Sequence, residues 1–122
     1  MAYDPNNVFA KILRGEIPCD KVYQDEHTLA FRDIAPKAPV HVLVIPKGAY
    51  VSWTDFSEKA SDAEIAALIR AVGKVARDLG VAEDGYRTLA NTGVNGHQEV
   101  PHLHIHLFGG RKLGAMLPSA NG

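Results

Sequence analysis

"VPHLHIHLFGG", residues 100–110, decides how this chain is read. His102, His104 and His106 take three of the six histidines within five residues, and a large apolar residue fills each gap. Alternation of this kind is the period of a β-strand, whose successive side chains point to opposite faces. The spacing predicts a strand over 101–109, with Leu103, Ile105 and Leu107 packed against a helix. The three imidazoles would then stand in a row on an open face, spread over ~13 Å. Imidazoles are largely uncharged near neutral pH and would serve solubility poorly, so the row points to chemistry.

Working outward, "TGVNGHQEV" reads as a polar loop and "GYRTLAN", residues 85–91, as the strand before it. From about Asp62 to Leu79, the residues Ile65, Leu68, Ile69, Val72, Ala76 and Leu79 recur every three or four positions, which predicts a helix with one apolar face. Ser61 and Glu64 have capping-box spacing at its start, and Gly80 supplies a left-handed stop. "VHVLVIP", residues 40–46, is nearly continuous in apolar and β-branched residues and reads as a buried strand. "KVYQDEHTLAFRDI" reads as a hairpin turning near Asp25 and Glu26, and "APKAP" as a loop stiffened by two prolines. "NNVFAKILRG" reads as a short helix capped by Asn6 or Asn7, striped by Val8, Phe9, Ile12 and Leu13, and stopped by Gly15. This order lacks regular βαβ alternation. The expected fold class is α+β: a five-stranded, mostly antiparallel sheet with two helices.

A chain of 122 residues fits one domain, here 1–122 with a core of about 8–117 and a tail over 111–122. The content of 46% hydrophobic and 22% charged residues is ordinary for a globular protein. A net charge of -1 offers no field for nucleic acid or an anionic membrane, so neither is an expected partner. A phosphate-bearing ligand would have to be held by specific groups. No apolar run approaches ~18 residues, and no secretory signal or myristoylation site is expected at the start. Cys19 is the lone cysteine, which excludes an intramolecular disulfide and fits the cytoplasm.

Two chemistries suit the histidines. In the first, two histidines at i and i+2 ligate zinc, with Glu99 or His41 as a further ligand, although a ~13 Å line converges poorly on one ion. In the second, a neutral imidazole nitrogen attacks phosphorus while the other nitrogen keeps its proton against a fixed acceptor. Flanking imidazoles would hydrogen-bond phosphoryl oxygens or protonate the leaving group. His104, with neighbours on both sides, is best placed to attack. His41 opens the strand 40–46 and could extend the polar face, whereas the isolated His27 reads as a surface residue. Gly109 and Gly110 permit close backbone approach.

The run His102 to Phe108 resembles the signature of the histidine triad family of nucleotide-binding hydrolases, His-x-His-x-His followed by apolar residues. Residues 8–47 look like the N-terminal half of that family and 85–111 like its C-terminal half, so the likeness spans about Val8 to Leu117. "GGR", residues 109–111, resembles the Hint branch, the purine nucleoside phosphoramidate hydrolases. The resemblance implies a homodimer that joins two sheets into ten strands, with helix 62–79 contributing to the contact. It implies purine nucleoside monophosphate-type ligands; no metal or other cofactor is expected, since imidazoles and backbone amides can stabilise the phosphoryl charge. By the same resemblance His104 is the nucleophile that forms a nucleotidyl-histidine, His102 supports it, and His106 hydrogen-bonds the phosphate or leaving group. His41 lines the phosphate end, Asp33 binds the ribose hydroxyls, and Phe9, Ile12, Ile17 and Ile34 wall the base. Asn91 stands close to the phosphate. On sequence alone Phe9, Ile12 and Ile17 read equally as core, Asp33 as a turn cap and Asn91 as a turn former.

The chain departs from the family pattern at Glu99, where a serine near the phosphate is frequent; a carboxylate there could meet the leaving amine or point outward. The tail lacks the tryptophan of animal members and looks bacterial. The expected activity is hydrolysis of nucleoside 5'-phosphoramidates to AMP or GMP. The alternatives are dinucleoside polyphosphate hydrolysis, and nucleotide or metal binding without catalysis.

Overall fold

The computed structural model of the chain describes residues 2–117. The elements run α1 (Val8–Leu13), β1 (Lys21–Gln24), β2 (Thr28–Arg32), β3 (Val40–Pro46), α2 (Trp53–Lys59), α3 (Asp62–Asp78), β4 (Tyr86–Leu89) and β5 (Ile105–Gly109). All five strands pair antiparallel in the order β1-β2-β3-β5-β4, so the fold class is α+β as expected.

Local chemistry sets the helix ends. Asn7 caps α1, its side-chain oxygen accepting from the Ala10 N–H at 2.9 Å. Ser61 and Glu64 form the reciprocal capping box at the start of α3. The two-helix expectation is corrected by α2. Ser52 caps it, and Phe56 is its buried residue. With only Trp53 and Phe56 as a large apolar pair, these seven residues carry too little periodicity to be read as a helix.

The sheet is covered on both faces, which explains the apolar run in β3. Ala30, Val42, Val44, Ile105 and Leu107 pack in one core with Leu68, Ala71, Val75 and Ala76 of α3. The alternate residues Leu29, Phe31, Leu43 and Ile45 turn to the other face and pack with Phe9 of α1.

The strand expected over 101–109 is shorter than its sequence pattern, because the ladder begins only at Ile105. Pro101 has no N–H to donate, the His102 N–H turns back to the Val100 carbonyl at 2.9 Å, and the Leu103 N–H goes to Tyr50 at 2.8 Å. The alternation nevertheless persists, for Leu103 joins Ile105 and Leu107 in the α3 core. The histidine face is not open as expected. His102 is 0% and His104 6% exposed, because Phe9 of α1 and the N-terminal Tyr3 lie against their rings. The glycine pair serves packing: a Cβ at Gly109 would lie 2.9 Å from Val81, and Gly110, at φ +90°, is crowded by Pro39.

Candidate active site

A cavity of about 480 Å³ opens between α1 and this second sheet face, within the size range of small-molecule sites. Phe9, Ile12, Ile17, Phe31 and Leu43 line it with apolar surface, and Asp33, Asn91, Glu99, His104 and His106 with polar groups. Ile34 also borders it, but at 99% exposure it stands at the mouth instead of forming a buried wall. Glu99 is exposed and pairs with His97 at 3.0 Å. His41 and His102 do not line the cavity; they lie buried behind it and act through neighbours. His27 lies apart, 3.8 Å from Glu26.

Several lining residues escaped the sequence reading. Phe31 and Leu43 sit two positions from Asp33 and His41, so strand alternation could have placed them on the same face. Lys37, His97 and Cys19 carried no such signal. His97 reaches the rim from a left-handed backbone position, φ +58°.

The backbone assigns a tautomer to each buried imidazole. His104 Nδ1 lies 2.7 Å from the His102 carbonyl, which can only accept, so Nδ1 carries the proton and Nε2 keeps its lone pair. His102 Nε2 donates in the same way to the Pro46 carbonyl at 2.8 Å. His41 Nδ1 accepts from the Lys37 N–H at 3.1 Å, so its proton sits on Nε2 and points to His106 Nδ1, 3.0 Å away. His106 is left with a protonated Nε2. The cavity is thus lined by one imidazole with a free lone pair and one with a free N–H.

Strand register makes the second pairing. His41 stands opposite Phe108 and Leu43 opposite His106, which brings His41 and His106 together on the diagonal between β3 and β5. Asp33 serves two neighbours. Its Oδ1 accepts from the Ala35 N–H at 2.8 Å, and its Oδ2 lies 3.5 Å from His41 Nε2. The turn-capping reading of Asp33 is therefore met together with its place on the cavity wall.

Burial keeps the rings neutral. It drives His102 down to about 4, against the opposing pull of the Pro46 hydrogen bond. It likewise takes His106 to about 4, helped by the neighbouring His104 and His41. His104 is lowered by burial and partly restored, first by its hydrogen bond to the His102 carbonyl and then by the carboxylates of Asp33 and Glu99. His41 is lowered by burial, with Asp33 opposing.

One atom each of Asp33, His41 and His106 lies within 4.8 Å of the others, a spacing that would suit a cation. The hydrogen bonds do not. Because the Lys37 N–H occupies His41 Nδ1, ligation through Nε2 would strip that ring of both protons. The cluster is built as a hydrogen-bond chain.

An antiparallel five-stranded sheet, entered at its cavity strand through alternating histidines, defines a histidine triad protein. Residues 14–113 match the HIT domain family model, and the chain belongs to that family. An uncharacterized 13.2 kDa HIT-like protein of Azospirillum brasilense is 68% identical over 115 residues, covering 94% of either chain. Purine nucleoside phosphoramidase of Escherichia coli K12 is 49% identical over 110 residues, covering 90% of this chain and 92% of the relative. A solved HIT family hydrolase from Clostridium thermocellum superposes with a TM-score of 0.84 at 44% identity, covering 93% of this chain and 97% of its own. The chain is a homologue of HIT-family hydrolases.

Proposed function

We propose that this chain hydrolyses the P–N bond of purine nucleoside 5'-phosphoramidates, releasing AMP or GMP. The carrying observation is the His104 imidazole, whose Nδ1–H is tied to the His102 carbonyl while the ring lines the cavity with Nε2 unprotonated. That nitrogen is a neutral nucleophile at pH 7. In the first step Nε2 bonds to the α-phosphorus, the P–N bond breaks, and the amine departs with a proton taken from solvent, leaving nucleotidyl-His104 as an imidazolium with its Nδ1–H in place. In the second, water attacks phosphorus and gives up a proton to solvent, the P–Nε2 bond breaks, and His104 returns to the neutral ring with its Nε2 lone pair free. The His106 Nε2–H hydrogen-bonds a phosphoryl oxygen or the leaving group, and His41, through His106 Nδ1, holds that proton in place. Asp33 takes the ribose hydroxyls, Phe9, Ile12, Ile17 and Ile34 border the base, Asn91 meets the phosphate, and Glu99 faces the leaving amine. The E. coli relative's name supports the substrate class.

The working unit in this proposal is a homodimer joined through the free edge of β4. The exposed Trp53, Ile69, Tyr86 and Leu89 support it, since together they leave an apolar patch beside that edge. Sedimentation velocity of wild type against Tyr86→Lys reads it out, a wild-type monomer refuting it. The proposed setting is the cytoplasm, consistent with the free Cys19; no helix among the described residues is long and apolar enough to cross a membrane.

The test of the reaction is His104→Asn. Turnover of adenosine 5'-phosphoramidate should fall by about a thousandfold or more, with AMP affinity kept. Turnover near the wild-type rate overturns the mechanism, and a kcat/KM higher for diadenosine polyphosphates would reassign the substrate.

A further inference from the structure

Tyr3 belongs to the N-terminal segment and lies outside the cavity, yet its hydroxyl sits 2.6 Å from His102 Nδ1. Since His102 Nε2 gives its proton to the Pro46 carbonyl, Nδ1 can only accept, and the Tyr3 hydroxyl is the donor. The two rings also pack edge to face with centroids 5.5 Å apart.

The importance of this bond comes from where His102 stands. Its carbonyl orients His104, but its peptide precedes the ladder, which begins at Ile105. The ring's hydrogen bonds to Tyr3 and Pro46 therefore join the Leu103 N–H to Tyr50 in anchoring a segment that lies outside the strand ladder. The segment bearing Tyr3 is itself pinned, with Asn7 Nδ2 donating to the Asp4 carbonyl at 2.7 Å and Arg14 to the Pro5 carbonyl at 2.8 Å.

We propose that Tyr3 is a positioning residue: its hydroxyl holds the His102 ring so that the His102 carbonyl keeps the proton of His104 on Nδ1. The consequence for turnover rests on the reaction proposed above; the link among Tyr3, His102 and His104 does not.

The test is Tyr3→Phe, which keeps the ring and removes the donor. With adenosine 5'-phosphoramidate, kcat should fall about tenfold while KM stays within about twofold, because orientation is lost without any change in cavity lining. By ¹⁵N-resolved imidazole spectra, the His102 Nδ1 resonance should shift and the His104 Nδ1 proton should exchange faster. Wild-type kcat together with an unchanged His104 proton in a folded variant overturns the proposal. If Tyr3→Phe fails to fold, 3-fluorotyrosine at position 3 keeps the donor but makes it more acidic. The His102 Nδ1 resonance must then move, and a fixed one refutes the link. A wild-type protein that does not hydrolyse phosphoramidates would end the functional reading, whereas the spectra would still decide the role of Tyr3.

Discussion

Acidification should unfold this protein through its buried imidazoles, and His102 offers the clearest measure. Burial favours the neutral ring, so the folded state holds the His102 proton only below about 4, against 6.5 ordinarily. Above pH ~6.5 the ring is neutral in both states and adds no pH dependence. Between there and pH ~4 the unfolded chain binds a proton that the folded chain refuses, and stability falls by about 1.4 kcal/mol per pH unit. The loss is complete below pH ~4 and comes to about 3 kcal/mol, a large part of a small domain's stability. His102 is 0% exposed, so solvent screening takes little from this figure. The perturbation is His102→Gln, which removes the titration and keeps a polar side chain. Urea unfolding, followed by Trp53 fluorescence and far-ultraviolet circular dichroism, gives stability from about pH 7.5 to about pH 4.5. Carboxylate titrations occur in both proteins and cancel in the difference. The wild type should lose about 2.5–3 kcal/mol more than the variant across that range. Parallel stability profiles would refute the claim that the fold keeps His102 neutral.

Two further outcomes follow from particular contacts. Asp33 and Glu99 both raise the His104 pKa against burial, so Glu99→Gln should lower it. Protonation would then silence Nε2 only at lower pH, and the acid limb of the kcat/KM profile should move down; a limb that stays or moves up contradicts the charge coupling. Ser61→Ala breaks the capping box of α3, on the sheet face away from the cavity. It should cost about 1 kcal/mol in urea unfolding with kcat unchanged, and an equal stability would mean that the cap contributes nothing.

Where the local pattern was strong, the sequence could be read directly. The capping box at Ser61, an asparagine cap on α1 and the span of β3 are set by neighbours within a few residues and stand as expected, with Asn7 the capping residue of the two offered. The resemblance brought Asp33, Phe9, Ile12, Ile17 and Asn91 to the site, while His41 and Glu99 already stood out as candidates beside the histidine row. The structure places all of these on the cavity except His41, which stands behind it. The short helix α2 escaped notice because one apolar pair is not a period. A strand pattern tells which residues share a face, not what covers that face, so the expected open histidine row is instead covered by Phe9 and Tyr3.

From the chain of letters alone came the alternation at 102–107, the amphipathic helix from residue 62 and the antiparallel α+β plan, since each depends on side-chain spacing along a backbone of fixed repeat. The proton positions came only with the tertiary structure. Pro46, Lys37 and Tyr3 are distant in sequence from the rings they meet, or reach them through loops with no periodic pattern. Nothing in the sequence says which ring nitrogen of a histidine carries the proton. A buried ring between a donor and an acceptor is driven to one tautomer, because leaving either partner unmatched in the interior costs about 1–3 kcal/mol.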